Sequence, residues 1–112
     1  MARAMTTKTS LKSVKDPIDC ANMAEVRAGV DDVDGQILQL LARRFGYMDA
    51  AARIKHDRDT VRDEARKAQV IANARKLALE LRIPQDVVAD IWETLVEGSI
   101  AYEFGRWDAQ RG

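Results

Sequence analysis

Residues 19–55 read DCANMAEVRAGVDDVDGQILQLLARRFGYMDAAARIK, and this stretch decides the fold. Apolar residues recur in it every three or four positions, which is the spacing of one face of an α-helix. No proline interrupts the pattern before it ends near His56. We therefore predict one helix over residues 20–56, about 50 Å long at a rise of 1.5 Å per residue. Its apolar face comprises Val26, Val30, Val33, Ile37, Leu40, Leu41, Met48, Ala51 and Ala52.

Two shorter helical patterns follow. Thr60 through Asp63 offers an N-cap for a second helix, whose apolar positions run from Ala65 to Leu81. Ile83-Pro84 marks the next boundary, because the residue before a proline avoids the helical conformation and proline suits a first helical turn. A third helix is predicted over about residues 84–108. Its apolar face comprises Val88, Trp92, Leu95, Val96, Ile100, Phe104 and Trp107.

The composition agrees with an all-α domain. Only 5% of the 112 residues are aromatic and there are two prolines, whereas a β-sandwich or barrel would need more aromatic and turn residues. A helix of about 50 Å also exceeds the roughly 30 Å diameter of a small domain, so one chain cannot bury its apolar face. We therefore predict three helices per chain, one of them very long, in an intertwined homodimer.

The first residues differ from the rest. Residues 1–15 contain Arg3, Lys8, Lys12 and Lys15 but no acid, so the remainder of this neutral chain carries a net negative charge. That balance argues against a general nucleic-acid binder. We predict a disordered basic leader over residues 1–16, with Met5 as an alternative start and an organelle transit peptide as a further alternative. Residues 17–112 then form the helical domain.

Several classes of chemistry lack the residues they need. The chain has one cysteine, Cys20, and one histidine, His56, too few for a disulfide, a Cys/His zinc site or a Cys-His nucleophilic pair. No stretch approaches the roughly 18 apolar residues of a membrane span. We therefore expect a cytoplasmic protein that uses no metal and no cofactor and binds neither membrane nor nucleic acid.

Polar side chains interrupt the apolar faces of two helices. At 100° per residue, Arg44 and Lys55 lie within about 20° of the centre of the first helix's apolar face, and Arg27 lies at its edge. Ser99 and Glu103 lie within about 20° of the centre of the third helix's apolar face. These five side chains are therefore predicted to point toward the interior.

Inward charges require an explanation, because burying a charge is costly unless it is paired. One alternative is an internal salt bridge between Glu103 and Arg44 or Lys55. The set nevertheless contains three cations, with Arg27 included, and one acid. Arginine is suited to bidentate recognition of carboxylates, so the excess of positive charge predicts a pocket for a small, multiply anionic, partly apolar ligand.

The same residues resemble the all-α chorismate mutases, and especially the proteobacterial branch that includes isochorismate-pyruvate lyase and aminodeoxychorismate mutase. The resemblance rests on the 19–55 segment, in which a second arginine follows Arg27 after 17 positions and a lysine follows after 11 more. It also rests on VRDEARKAQVI at residues 61–71 and GSIAYEFGRW at residues 98–107.

The resemblance implies a role for each matching residue of the first helix. It implies that Arg27 reaches into the partner chain's site, so that two shared sites form per dimer. Arg44 resembles the arginine that grips a substrate carboxylate within its own chain. Lys55 resembles the lysine that contacts the ether oxygen and a carboxylate.

Further matches lie in the other two helices. Asp63 and Ser99 resemble residues that hold the ring hydroxyl and its surroundings, and Arg66 resembles an arginine of the pocket wall. Two positions depart from the family's pattern. Lys67 stands where the mutases often have glutamate, and Glu103 stands where the best-known bacterial mutase and the lyase have glutamine, although some fungal mutases have glutamate.

The implied reaction is the unimolecular Claisen rearrangement of chorismate to prephenate, which needs neither nucleophile nor cofactor. Glu103 could donate to the ether oxygen only when protonated, which burial favours and neighbouring cations oppose, so we expect the highest activity at acidic pH. The first alternatives are an isochorismate-pyruvate lyase and an aminodeoxychorismate mutase on the same fold. An alternative of another class is a non-catalytic helical dimer in which Arg44 and Lys55 simply pair with acids.

Overall fold

A computed structural model of the protein describes residues 14–112. Three α-helices follow one another: α1 over Met23–Ile54, α2 over Glu64–Leu81 and α3 over Gln85–Arg111. Short 3-10 turns precede α1 at Pro17–Asp19 and α2 at Arg58–Thr60, and the described range contains no strand. The all-α prediction is confirmed, with each predicted end of the first and third helices within three residues of the observed one. Residues 1–13 of the predicted leader lie outside the described residues.

The start of α1 is fixed by local polar contacts. The side chain of Asn22 accepts a hydrogen bond from the backbone N–H of Glu25 (3.0 Å), and the Glu25 carboxylate accepts one from the N–H of Ala21 (2.8 Å). Helix N-termini need such acceptors because their first N–H groups have no partner within the helix. Lys15 forms an ion pair with Glu25 at 2.7 Å and lowers the pKa of that carboxyl.

The described chain divides into two compact units, one ending at Arg43 within α1 and the other comprising Arg44–Gly112. In the first unit, the apolar face of α1 is exposed, with Val30 at 52% exposure and Val33 and Ile37 similarly open. In the part of the chain that the structure describes, no helix is both long and apolar enough to cross a membrane.

The second unit contains the α2–α3 hairpin. Asp63 caps α2, as the sequence predicts, by accepting a hydrogen bond from the N–H of Arg66 (3.0 Å). Arg82 ends α2 in a left-handed conformation (φ 61°), and its N–H bonds the carbonyls of the last turn. Pro84 is the N-cap residue of α3, which begins at Gln85. The chain thus reverses within three residues, and α2 packs against α3.

A small core holds this unit together. Val61, from the segment that leads into α2, is buried with Val96 and Ile100 of α3. Partly buried side chains surround these three: Val70, Trp92, Phe104 and Trp107. The predicted apolar face of the third helix is therefore the one that faces the core, which places Ser99 and Glu103 at the same depth as its apolar residues.

Candidate active site

Arg44 and Ser99 form one half of the candidate site. The Arg44 guanidinium donates a hydrogen bond to Ser99 Oγ at 2.6 Å, and Ser99 in turn donates to the Leu95 carbonyl at 2.7 Å. Ser99 is 3% exposed, and Arg44 is half-buried. Both side chains therefore point inward, as the helical periodicity predicts, and the serine holds the guanidinium in one orientation.

Lys55 and Glu103 form the other half. Lys55 Nζ lies 2.8 Å from Glu103 Oε2, and it also contacts the Val61 carbonyl at 3.5 Å. Glu103 is 4% exposed, and its Oε2 has no aligned hydrogen bond although the lysine is within ion-pair distance. The salt bridge considered from the sequence is thus present for Lys55 and not for Arg44.

Arg44 carries a charge that no acid balances. No carboxylate among residues 14–112 lies within ion-pair distance of its guanidinium. Burial, and then the positive charge of the nearby Arg66, lower the pKa of Arg44. Among the described residues, the Arg66 guanidinium donates only to the neutral side chain of Gln69, at 2.6 Å. Two adjacent guanidiniums without an acid are an anion-binding arrangement, because an anion would remove both the repulsion and the desolvation cost.

Asp63 and Arg27 are the remaining predicted residues. The Asp63 side chain is engaged in capping α2, which is the structural role expected of an acid at a helix start. Arg27 lies in the other compact unit, on the exposed first half of α1, and forms no ion pair within the described chain. Its role as a residue of a shared site stays a prediction.

An ion-pair cluster beside the site was not predicted. The Arg62 guanidinium forms a bidentate pair with the Glu97 carboxylate (2.7 and 3.1 Å). Lys67 forms ion pairs with both Glu93 and Glu97 at 2.7 Å. Arg62 and Lys67 lower the pKa of Glu97 to about 2. Lys67, noted from the sequence as a departure from the family, thus fastens the first turn of α2 to α3.

Two further residues were missed as parts of the site. Trp107 was assigned to the apolar face alone, and Arg111 lies beyond the predicted end of the third helix. Both contact the backbone of Lys55. The signal that could have found them is the four-residue spacing that continues from Glu103 through Trp107 to Arg111 on one side of α3.

The described residues contain no group of three or more His, Cys, Asp or Glu side chains placed to hold a metal ion. What the site offers instead is a set of cations, a hydroxyl and one buried carboxyl group. Such groups can bind an anion and stabilise charge that develops during a reaction.

Comparison with known proteins gives two relatives. The chain is 28% identical over 99 residues to the isochorismate pyruvate lyase of Pseudomonas aeruginosa, a match that covers 88% of this chain and 98% of the lyase. It is also 28% identical over 82 residues to the chorismate mutase of Methanocaldococcus jannaschii, covering 72% of this chain and 83% of that mutase.

A family model agrees with these matches. The family model of chorismate mutase type II matches residues 26–104, a range that runs from the first turn of α1 into the last third of α3. It includes Arg27, Arg44, Lys55, Asp63, Arg66, Ser99 and Glu103. Because this match spans more than half of the length of the chain, the chain belongs to the chorismate mutase type II family.

Proposed function

We propose that the protein is a chorismate mutase, which converts chorismate to prephenate by a Claisen rearrangement. The observation that carries this proposal is Arg44, a half-buried arginine that has no acidic partner among residues 14–112 and lies near the positive charge of Arg66. Chorismate is a dianion with two carboxylates, the chemistry that such a pair of guanidiniums recognises.

Arg44 binds one carboxylate of the substrate. Its guanidinium can present two parallel N–H groups to one carboxylate, and the 2.6 Å bond to Ser99 fixes its plane. Arg66 adds positive charge at the same place. Holding the flexible dianion in its compact chair form brings the two reacting carbons together and lowers the conformational-entropy part of the barrier.

The reaction itself needs no group transfer from the protein. One C–O bond of the ether breaks as one C–C bond forms, and negative charge grows on the ether oxygen in the transition state. Lys55 is one donor for that oxygen, since its ammonium lies beside the buried Glu103. Glu103 can be the second donor when it carries a proton. Fixed donors at a developing charge are the largest catalytic contribution of many enzymes.

We also propose that the active unit is a homodimer. The exposed apolar face of α1 in the first compact unit, from Val26 to Ile37, is the kind of surface that is normally covered in solution. Arg27 lies at the edge of that face. In an intertwined dimer, Arg27 would therefore enter the partner's site and contact the second carboxylate of the substrate.

The second candidate is an isochorismate-pyruvate lyase, with an aminodeoxychorismate mutase as a further alternative. The lyase is favoured by the relative that carries this name and matches this chain over 98% of its own length. Chorismate and isochorismate differ in the position of one hydroxyl. Discrimination between them would therefore rest on a few contacts of the 57–66 segment, where Asp63 and Arg66 lie.

Product identification separates these functions. Purified protein is given chorismate and isochorismate separately at pH 5 and pH 7.5, and the products are identified by chromatography and mass spectrometry. We expect prephenate from chorismate. Salicylate plus pyruvate from isochorismate alone would establish the lyase, and no turnover of either substrate would favour an aminated substrate or the non-catalytic dimer. Arg44→Met is the control that shows whether any turnover comes from this site.

A further inference from the structure

The last turns of α3 hold the C-terminal end of α1. Arg111 donates to the carbonyl of Ala52 at 3.0 Å and to the carbonyl of Lys55 at 2.6 Å. The indole N–H of Trp107 donates to the same Lys55 carbonyl at 3.1 Å. The last carbonyls of a helix have no partner within the helix, and a cationic side chain is a favourable one. The end of α1 is thus capped by a different helix.

These bonds converge on one residue of the candidate site. Lys55 follows the last residue of α1, and its own N–H still donates to Ala51, one turn back, at 2.9 Å. Its carbonyl is held by two donors from α3. Its ammonium is held by Glu103, also from α3, at 2.8 Å. Lys55 is therefore fixed at its backbone and at the tip of its side chain by the same helix.

The arrangement on α3 is regular. Glu103, Trp107 and Arg111 follow one another at intervals of four residues, so they lie one above the next along one side of the helix. The Arg111 guanidinium stacks on the Trp107 ring at 4.1 Å from its centroid. Within the described chain Arg111 pairs with no carboxylate, so its donors serve carbonyl groups only.

We propose that Trp107 and Arg111 are positioning residues for Lys55, and that they set the distance of its ammonium from the reacting ether oxygen. This inference rests on the proposed Claisen activity and extends its machinery beyond residue 104, where the match to the family model ends. Neither residue touches the substrate. Both act by fixing the backbone from which the Lys55 side chain extends across to Glu103.

The kinetic test compares Arg111→Met and Trp107→Phe with the wild-type protein. Trp107→Phe keeps the ring and removes only the N–H donor. Since misplacing a catalytic group by about 1 Å can cost up to about 100-fold, we expect kcat for chorismate to fall about 10-fold in Arg111→Met. KM should change little, because Arg44 and Arg66 bind the carboxylates. Arg111→Lys, which keeps a cationic donor, should restore part of the loss.

Arg106→Met is the matched control. Arg106 is also an arginine of α3 that contacts α1, but it bonds the Asp49 side chain at 3.1 Å and not the helix end. Arg106→Met should leave kcat unchanged. In a Lys55→Met background, Arg111→Met should cause no further loss of kcat, because the group that it positions is gone.

A readout without turnover separates this inference from the proposed function. In protein labelled with ¹³C at lysine Cε, the Lys55 signal, assigned by its loss in Lys55→Arg, should shift in both Arg111→Met and Glu103→Gln and stay in place in Arg106→Met. That shift would support the positioning role even if wild-type protein turned over neither substrate. An unmoved Lys55 signal with unchanged kcat and a lower Tm would overturn it and leave Arg111 a purely structural cap.

Discussion

Lys55 Nζ and Glu103 Oε2 lie 2.8 Å apart, yet Oε2 receives no aligned hydrogen bond. Glu103 is 4% exposed, and Oε2 itself is buried. A buried oxygen left in this state is costly in a finished core. It is useful in a binding site, because a bound molecule can supply the partner.

Glu103→Gln should change how activity depends on pH. A carboxyl group donates a hydrogen bond to the ether oxygen only when protonated, whereas the glutamine amide donates at every pH. We expect the wild-type kcat, measured from pH 5 to pH 8, to fall as the pH rises and that of the variant to stay level. The fall can reach about 100- to 1,000-fold, the cost of losing one donor at a developing oxyanion. The measurement is initial-rate kinetics with chorismate across this range.

Glu93→Gln is the control for that profile, because Glu93 is an exposed acid of α3 that pairs with Lys67 outside the site. It should keep the wild-type pH dependence. An identical profile in wild-type protein and Glu103→Gln would remove Glu103 from the ether-oxygen role and leave Lys55 as the donor.

Arg44→Met should lower activity without lowering stability. A hydrogen bond to a charged group is worth about 1.5–3 kcal/mol, so we expect kcat/KM to fall about 10- to 100-fold. Burial and the charge of Arg66 lower the pKa of Arg44, which means that folding disfavours its charged form, and this cost is fully present near neutral pH, where the group is charged. Removing that charge should therefore leave Tm equal to or above the wild-type value. Kinetics and thermal unfolding at pH 7 measure the two effects.

Arg53→Met is the matched control, since Arg53 is an exposed arginine of α1 that forms no ion pair within the described chain. Arg53→Met should change neither kcat/KM nor Tm. A lower Tm with unchanged turnover in Arg44→Met would mean that this arginine is structural.

Helical periodicity predicted which faces turn inward, and the burial of Ser99 and Glu103 confirms it for the third helix. It could not choose between Arg44 and Lys55 as the partner of Glu103. Both cations lie on one face of α1, three turns apart, and the choice depends on how far α3 is displaced along α1. That displacement is set by packing between helices, which a single-helix pattern does not contain.

The ion pairs around α2 could not be predicted from the sequence, for a related reason. Lys67 was noted only as a departure from the family's pattern, and its partners Glu93 and Glu97 lie on the next helix along the chain. Arg111 was missed because the apolar pattern ends at Trp107, and the four-residue spacing that continues to Arg111 does not show which backbone groups of α1 it meets. Contacts that depend on two elements at once appear only when both have been placed.

Glu97→Gln should make the protein less stable near neutral pH but not in strong acid. Arg62 and Lys67 hold the pKa of Glu97 at about 2, below its ordinary value of 4.5. A lowered carboxyl pKa contributes stability that is fully present above 4.5 and is lost as pH falls toward 2. We therefore expect the variant to have a lower Tm than wild type at pH 7 and a difference that shrinks from pH 4.5 downward.

Glu80→Gln serves as the comparison, because Glu80 is an exposed acid of α2 without an ion pair among residues 14–112. Its Tm should follow that of wild type at each pH. A Tm difference for Glu97→Gln that persists unchanged at pH 2 would mean that the loss comes from packing and not from the ion pairs.

Mixing two inactive variants should restore activity if the site is shared between chains. Arg27→Ala removes the residue that we propose enters the partner's site, and Lys55→Met removes a residue that we propose acts in its own chain's site. When subunits exchange at random, about half of the dimers are hybrids of the two variants. Each hybrid has one intact site and one site that lacks both residues. About a quarter of all sites are then intact, so about a quarter of wild-type activity should return. A mixture of Arg44→Met with Lys55→Met should stay inactive, because both residues belong to the same chain's site and no hybrid then has an intact one. If native mass spectrometry shows hybrid dimers and the first mixture also stays inactive, Arg27 does not act across the interface.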